Sequence, residues 1–562
     1  MNKLTYSVLT LGVAAMLGMT SCADSFLDVS SKTESNTDNF YEDENDAWRA
    51  LLGCYDGWRN ISTKPGIGFY IASTVMGDEA YGGTGVGDGR NHQLIDRFDL
   101  NESPSDLNVY SQDWKIYYAG VYRCNELITR DAQIEWRDEA KHSLYMGEAR
   151  ALRALLYFDM VRLWGNIPLF LEPSSENREQ TDPAEVYAHI FDDLRFAIDN
   201  IPADANISES DNGRITRYAA EAILARAYLY YTGYYGKEPG FTPEGGETIG
   251  AVTKAEALAA VEDVISSGYF ELVSDFKNLW PAASLVPKPG ENGWDTEAST
   301  YAGDANKEVI LAQKFEPVYE YGTNEDPGPQ YSNRWLVMMG MRSSLTKAPY
   351  HYGWGACTVI PSYLVRFENG DTRLTPSVID IAGEGISSLP EFQGSYNDWR
   401  EYTGYTVKKY TPLAYGNGNP GTNADGTAGF QEANIQQWTI MRYADVLLMA
   451  AELGSANAAN YMHLVRSRAG LGDIAVSKDN IMAERARELA FEGIRYWDLL
   501  RQGIEVAADA ICASAGTAFD GGRKVNVSYN RNKIIECKGL SQIPEDQITL
   551  SNGVLKQNAG WK

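Results

Sequence analysis

The sequence predicts a mainly α-helical protein with a large, irregular, loop-rich half. Three observations support this prediction. Apolar residues recur at helical spacing in several successive stretches, and small residues, chiefly alanine, lie where neighbouring helices would cross. Between these stretches run long segments rich in Gly, Pro, Asn and aromatic residues. Segments of that length in a compact protein usually carry function or are disordered, so we expect the ligand site there.

The N-terminus predicts export. A short apolar run, residues 8–17, follows a lysine and leads through small polar residues to Cys22, as in a secretory signal peptide. Residues 17–22 also resemble a bacterial lipobox, although Met19 occupies the position where leucine is usual. We predict a lipoprotein signal peptide over residues 1–21 and a lipid on Cys22. The alternative is a plain secretory signal in which Cys22 is incidental.

Residues 22–39 predict a flexible tether, since they are rich in Ser, Thr, Asn and Asp. Residues 40–562 contain no Pro/Ser-rich linker or low-complexity tract, so we predict a single body there. No run in the chain reaches the roughly 18 apolar residues of a transmembrane helix. Lipid on Cys22 would therefore hold the protein at a membrane.

The composition is acidic. The chain has 76 Asp and Glu against 49 Lys and Arg, which gives a formal net charge of −27. Phosphate groups are bound mainly by Lys and Arg, so this charge argues against nucleic acid and anionic lipid headgroups as partners. It suits a neutral ligand.

Seven stretches have the apolar spacing of helices. They are residues 141–163, a stretch opened by Asp182 and Pro183, a stretch capped by Thr216, and residues 254–267, 438–453, 457–468 and 481–500. Gly165 is expected to end the first helix. Asp182 suits an N-cap and Pro183 the first turn that follows it.

Several short motifs carry a family resemblance. They are residues 148–154, 157–169, 213–216, 222–229, 306–310, 367–373, 442–452, 465–471, 484–499 and 557–561. The most specific is residues 484–499, ERARELAFEGIRYWDL. In this order they resemble the SusD/RagB family of nutrient-binding outer-membrane lipoproteins of Bacteroidetes, over nearly the whole chain.

The resemblance implies a SusD-like fold of tetratricopeptide-type helix pairs that carries an irregular loop-rich half. It also implies a surface-exposed lipoprotein of the outer membrane that binds glycans and delivers them to a SusC-like TonB-dependent transporter. A minority of the family binds peptides. A site with few loop aromatics and more charge would favour that alternative, and this chain shows the reverse.

The most specific motif has a structural interpretation. On a helix, Arg487, Glu488, Glu492 and Arg495 would form a charged network among apolar residues. Arg and Glu spaced three or four apart commonly form such ion pairs. We therefore predict that this motif locks helices together and takes no part in chemistry.

The motifs of common enzymes are missing from the sequence. It contains no G-x-S-x-G, no H-E-x-x-H, no Walker loop and no G-x-G-x-x-G that opens a helix after a strand. Its five histidines are scattered, and the cysteines other than Cys22 form no C-x-x-C pair. We predict a binding protein without disulfide framework, metal or cofactor; a glycoside hydrolase on a helical scaffold is a remote alternative.

Aromatic residues on loops are the candidates for ligand contact. A sugar ring is held by flat aromatic faces together with a few polar groups, and the chain has 35 Tyr and 13 Trp. We expect the ligand-binding loops at about residues 62–108 and 278–356. The early candidates, carried over from the family, are Asp78, Glu79, Tyr81 and Arg90. The later candidates are Trp294, Tyr301, Trp335, Tyr350, Tyr352 and Trp354.

Trp294 is the first choice among these candidates. Gly, Pro and Asn surround it, so it has no helix face on which to be buried. Trp280 follows an apolar helix end, and we predict that it belongs to the core.

Overall fold

The computed structural model describes residues 40–99, 104–287, 294–295, 299–315, 332–342, 349–351, 353–386, 397–413 and 434–561. About 49% of the described residues are helical, in 18 helices, and the strands among them are short. This confirms the predicted mainly α fold. The predicted signal peptide and tether, residues 1–39, lie outside the described residues.

The first half is built mainly from long helices that pack against one another. Helices α1 to α9 are Glu44–Thr63, Phe69–Met76, Asn91–Arg97, Pro104–Leu107, Ser111–Thr129, Glu139–Trp164, Pro183–Asn200, Arg217–Tyr235 and Lys254–Ser266. Helix α1 packs on α5, and the contacts continue in order from α5 to α9. This is the arrangement of helix pairs that the family resemblance implied.

The ends of these helices lie where the sequence predicted them. The Asp182 side chain accepts a hydrogen bond from the Ala184 amide at 2.7 Å, at the start of α7. Thr216 accepts from the Ala219 amide at 3.0 Å, at the start of α8. Each cap satisfies an amide that has no partner within the helix. Gly165 ends α6 with a φ of +69°, a conformation that glycine adopts without strain.

Small residues let two of these helices touch through their backbones. A Cβ added to Gly57 on α1 would lie 2.8 Å from the Cα of Gly120 on α5, closer than any side chain permits. The crossing of α1 and α5 therefore requires glycine at Gly57.

Shorter elements make up the second half. Helices α10 to α18 are Arg334–Met339, Leu374–Ser377, Tyr443–Glu452, Ala458–Arg468, Lys478–Glu488, Arg495–Leu500, Ile504–Ala513, Arg531–Glu536 and Glu545–Leu550. Short 3-10 helices are Asp131–Gln133, Glu209–Asp211, Phe276–Leu279, Pro281–Ala283 and Pro361–Arg366. No described helix combines the length and the apolar character needed to cross a membrane.

The strands form four small antiparallel sheets. Strands β1 to β10 are Ala80–Gly82, Val286–Pro287, Trp294–Asp295, Val309–Gln313, Cys357–Val359, Val378–Asp380, Tyr405–Val407, Trp438–Arg442, Gly516–Asp520 and Arg523–Val527. The order β1-β5-β7-β6 makes the largest sheet, and the pairs are β2 with β3, β4 with β8 and β9 with β10.

Two of the predicted helices are wrong in part. Residues 438–453 begin as strand β8, whose five residues are all buried against β4, and turn helical only at Tyr443. A short apolar run does not by itself distinguish a buried strand from a helix. Residues 481–500 are broken into α14 and α15, because Phe491 and Gly493 have φ values of +62° and +72°.

The predicted loop segment of residues 62–108 also contains regular structure, namely α2, β1, α3 and α4. Helix α2 is buried along its whole length, so much of this segment belongs to the core. Trp280 is buried as well, which confirms its predicted place in the core.

A buried ionic network joins the second half together. Glu488, at the end of α14, is at its centre. Its carboxylate lies 2.9 Å from Arg373 and 2.6 Å from Arg442, and it also pairs with Arg468. Burial alone would raise the pKa of Glu488, but the three surrounding guanidinium groups hold it well below its usual range. Glu488 is therefore ionised throughout the physiological pH range.

The network confirms the structural role predicted for this motif, but with different partners. Arg487 pairs with Glu484 at 2.7 Å, one turn away. Arg495 pairs with Asp78 at 2.9 Å, which lies far away in the sequence. Because α14 ends at Glu488, Arg495 is not on the same helix as the residues before it.

Glu79 stabilises the break between α14 and α15. Its buried carboxyl accepts a hydrogen bond from the amide of Phe491 at 2.7 Å and one from the Tyr363 hydroxyl at 3.3 Å. Burial raises the pKa of Glu79 to about 8, although the Phe491 amide acts in the opposite direction. Glu79 is therefore largely protonated at neutral pH.

Replacing Glu488 by glutamine should destabilise the protein by about 3–5 kcal/mol, because it leaves three buried guanidinium groups without their shared anion. Urea unfolding of the variant and the wild type measures this. Asp509→Asn removes the exposed pair with Arg531 and is the control, for which we expect no measurable change. Equal stabilities of Glu488→Gln and wild type would contradict a central role for Glu488.

Glu79→Gln should become more stable relative to wild type as the pH rises. Between the unfolded pKa of 4.5 and the folded pKa of about 8, the folded wild type holds a proton that the unfolded chain has released. Raising the pH from 5 to 8 therefore destabilises the wild type by at most about 1.4 kcal/mol per pH unit, and this loss is absent in the variant. Urea unfolding at several pH values measures it, and parallel stability curves would refute the argument.

Candidate functional site

Parts of the predicted loop regions meet residues 397–400 at a surface that we call the loop face. It comprises residues 83–90, Arg334, Arg342, residues 353–355 and residues 397–400. These segments touch one another: a Cβ on Gly83 would collide with the carbonyl oxygen of Gly355, and one on Gly85 would collide with the guanidinium of Arg342. Segments far apart in the sequence thus form one continuous surface.

Arg400 determines the path of residues 83–90. Its guanidinium donates to the carbonyl oxygens of Gly85 at 3.0 Å, Val86 at 2.7 Å and Asp88 at 3.0 Å. Burial lowers the pKa of Arg400, and nearby Arg90 acts in the same direction. The carbonyl groups that it contacts compensate its burial, and the tip of the loop from Val86 to Arg90 remains exposed.

A second arginine supplies polar groups at the surface. The Arg342 Nε donates to Asp398 at 2.8 Å, and one of its terminal nitrogens to Asp88 at 3.3 Å. All three side chains are partly exposed. Guanidinium and carboxylate groups offer donors and acceptors to hydroxyl groups, and their opposite charges leave little net charge.

Trp354 provides the flat apolar surface beside these groups. Its amide donates to the carbonyl of Val337 at 2.7 Å, and the following residue, Gly355, has a φ of +72°. The guanidinium carbon of Arg334 lies 5.5 Å from the centre of the Trp354 ring. The indole is only half-buried, so part of it faces solvent.

Among the early candidates, only Arg90 is accessible. Its side chain is 53% exposed and pairs with Asp520 at 3.3 Å. Asp78 is buried between Arg495 and Arg366, and the Tyr81 hydroxyl donates to the buried carbonyl of Ser514 at 2.7 Å.

The burial of Asp78, Glu79 and Tyr81 corrects the expectation that they face a ligand. Their surroundings require them inside the protein: Asp78 neutralises two guanidinium groups, Glu79 stabilises a strained turn, and Tyr81 lies in strand β1.

The later candidates also include both buried and partly exposed residues. Trp335 is fully buried, with its ring centre 4.9 Å from that of Tyr70, because the short helix α10 is apolar on every side. Tyr350 is buried and its hydroxyl donates to Glu384 at 2.7 Å. This burial removes Trp335 and Tyr350 from the surface that a ligand reaches. Tyr301 is partly exposed, with its hydroxyl hydrogen-bonded to Asp304.

Two candidates are described only in part. The backbone of Trp294 forms strand β3, in register with Pro287 of β2, but its side chain lies outside the described residues. Tyr352 lies outside them altogether.

No motif in the sequence indicated Arg342 or Asp398. Arg342 reaches partners 56 and 254 positions away in the chain, so no local motif could identify the cluster. The Gly-rich segment of residues 82–89, which contains Asp88, likewise carries no motif that would identify Asp88 as a partner of Arg342.

Within the described ranges, no group of three or more His, Cys, Asp or Glu side chains is placed to hold a metal ion. The described cysteines, which are Cys54, Cys124, Cys357, Cys512 and Cys537, are free thiols. The loop face can therefore bind through hydrogen bonds and aromatic contact.

Two family models match the chain. One, described as the SusD family, matches residues 391–561, and the other, described as starch-binding associating with outer membrane, matches residues 79–229. Together they cover more than half of the protein. A SusD-like protein of Formosa agariphila, P38, is 22% identical over 90% of this chain and 93% of its own length.

Solved structures share the fold over almost the whole chain. A laminarin-binding SusD-like protein is 26% identical with a TM-score of 0.68, over 93% of this chain and 100% of its own. A surface glycan-binding protein from Bacteroides fluxus is 25% identical with a TM-score of 0.71, over 92% and 100%. The motifs, the fold and these relatives agree: this chain belongs to the SusD family.

Proposed function

We propose that this protein binds neutral glycans through the loop face and delivers them to a SusC-like TonB-dependent transporter of the outer membrane. The observation that carries the proposal is that the half-buried Trp354 lies in one surface with the paired charges of Arg342, Asp88 and Asp398, since the adjoining Gly355 packs against Arg342. A sugar ring has apolar C–H faces and hydroxyl edges, and this combination of groups matches both.

The paired charges favour a neutral ligand. Arg342 is balanced by two carboxylates and Arg90 by Asp520, so neither of these two cations is left uncompensated on the loop face. The net charge of −27 repels polyanions further. Sugar hydroxyls accept hydrogen bonds from guanidinium groups and donate them to carboxylates.

Relatives suggest the first glycan to test. The two solved structures described above are called laminarin-binding and surface glycan-binding, at 26% and 25% identity to this chain. Laminarin is therefore the first probe, followed by starch, xylan and mannan. We propose contact through Trp354, Arg342 and Arg90, with Trp294 and Tyr301 from the neighbouring segments.

We propose that the protein binds the glycan without hydrolysing it. The relatives are called binding proteins, and the carboxylates of the loop face, Asp88 and Asp398, are both paired with Arg342. We further propose that lipid on Cys22 anchors the protein at the cell surface, and that the tether of residues 22–39 lets it approach the transporter.

Trp354→Ala should weaken binding of the recognised glycan at least tenfold, which corresponds to about 1.4 kcal/mol of lost contact with the ring. Affinity electrophoresis and calorimetry on residues 23–562 measure this, with Trp294→Ala beside it. Thermal unfolding of each variant separates lost contact from lost folding.

Tyr269→Ala is the matched control, since Tyr269 is an exposed aromatic residue away from the loop face, and it should bind like wild type. Unchanged binding by both tryptophan variants would reject the loop face as the site. Binding of peptides but of no glycan in the panel, or release of shorter products on incubation, would replace the proposal by the peptide or the hydrolase alternative.

Cys22→Ala should abolish incorporation of radiolabelled palmitate and release the protein from the membrane fraction. The reason is that the acyl chains replace a transmembrane helix as the anchor. Cys512→Ala removes a partly buried free thiol and is the control, which should stay labelled and membrane-bound. Labelling of Cys22→Ala at the wild-type level would show that Cys22 is not the lipidated residue.

A further inference from the structure

A groove on the helical side of the molecule lies apart from the loop face. We call it the helical groove and define it by Trp114, Tyr118, Tyr122, Phe170, Arg178 and Leu550. Its volume is about 340 Å³, within the range of small-molecule sites. It shares no residue with the loop face.

Helix α5 supplies one wall of the groove. Trp114, Tyr118 and Tyr122 are spaced four residues apart, so they lie in a row along one face of the helix. The segment Pro168–Arg178, which follows α6, and helix α18 supply the other walls. Three separate parts of the chain thus meet around this row of rings.

The floor of the groove is aromatic and rigid. The ring centres of Trp114 and Tyr118 are 5.1 Å apart, and those of Tyr118 and Phe170 are 5.8 Å apart with the rings perpendicular. The Tyr118 hydroxyl donates to the carbonyl of Pro168 at 2.9 Å, which fixes the position of that end of the side chain. A ligand would therefore find a preformed apolar surface.

The rim carries uncovered apolar groups. Tyr122 is 47% exposed and Leu550 is 65% exposed, on different walls of the groove. Together with the rings of the floor, these two side chains extend the apolar lining of the groove to the solvent.

Polar groups complete the lining. Arg178 donates to the carbonyl of Leu169 at 2.6 Å, and its guanidinium carbon lies 4.8 Å from the centre of the Phe170 ring. Asn125 donates to the carbonyl of Phe170 at 2.9 Å, and the side chains of Ser174 and Gln547 add a hydroxyl and an amide. Charged side chains also line the groove, and the positive charges of Arg178 and Lys115 are matched in number by the negative charges of Glu172 and Glu176.

From this geometry we infer that the helical groove is a second binding site for a short segment of neutral oligosaccharide. Stacked aromatic rings with amide and hydroxyl groups at their edges suit the apolar faces and hydroxyl edges of sugar rings. The inference goes beyond the proposed function, because it assigns a ligand to the helical half, where no sequence motif indicated one.

The test uses calorimetry with laminarihexaose, maltohexaose, xylohexaose and mannohexaose, on residues 23–562 carrying Trp354→Ala. In this background binding at the loop face is weakened at least tenfold, and we expect residual binding of one hexasaccharide that is held in the helical groove. Adding Tyr122→Ala should weaken that residual binding at least tenfold. Adding Tyr122→Phe should preserve it, since the ring is kept, and Tyr269→Ala is again the exposed-tyrosine control.

Crystals of the wild type soaked in the bound hexasaccharide should show sugar density in the helical groove as well as on the loop face. Density on the loop face alone would overturn the inference and leave the proposed function intact. No residual binding in the Trp354→Ala background would also overturn the inference. So would a purified complex in which the transporter, and no sugar, occupies the helical groove. Full binding in Trp354→Ala with loss in Tyr122→Ala would support the groove and reject the loop face instead.

Discussion

The buried ionic network around Glu488 is the interaction on which the second half of the structure depends. Arg442 at the end of strand β8 joins Glu308 to Glu488 and Glu492, which lie in a distant part of the chain. Isolated burial of any of these charges would cost several kcal/mol, and only their mutual pairing offsets it. The pairing is satisfied in a single arrangement of helices and strands, so it specifies the fold as well as stabilising it. The four-stranded sheet that carries the loop face depends on this network for its position.

The network also explains why the chain breaks between α14 and α15. A continuous helix from Ile481 to Leu500 would point Arg495 away from Asp78. The left-handed conformation at Phe491 redirects the chain, and the Glu79 carboxyl accepts the amide that the break leaves without a helical partner. Positive φ at a non-glycine residue costs of order 1–3 kcal/mol. The ion pairs and this hydrogen bond hold Phe491 in place, which makes the early segment and the C-terminal motif depend on each other.

The sequence predicted the features that depend on residues close together in the chain. Apolar spacing and capping residues identified the long helices, and Asp182, Thr216 and Gly165 lie at helix ends as expected. What depends on distant partners could not be predicted. Trp335 looked like an exposed loop aromatic because nothing in its neighbourhood reveals Tyr70 and Trp438, which cover it. Trp354 was identified as a candidate, whereas the polar groups beside it come from segments that only the folded chain brings together.

The manner in which Arg400 holds the loop of residues 83–90 bears on how this protein can evolve. Its three hydrogen bonds go to backbone carbonyl oxygens, which every amino acid possesses. Apart from Asp88, whose carboxylate accepts from the Gly85 amide at 2.9 Å, the side chains at the tip are therefore not needed to maintain its path. Mutations at those positions can alter the chemistry of the exposed tip while the scaffold stays the same. Duplicated copies of such a gene could thus acquire different exposed tips one substitution at a time, while each intermediate protein still folds.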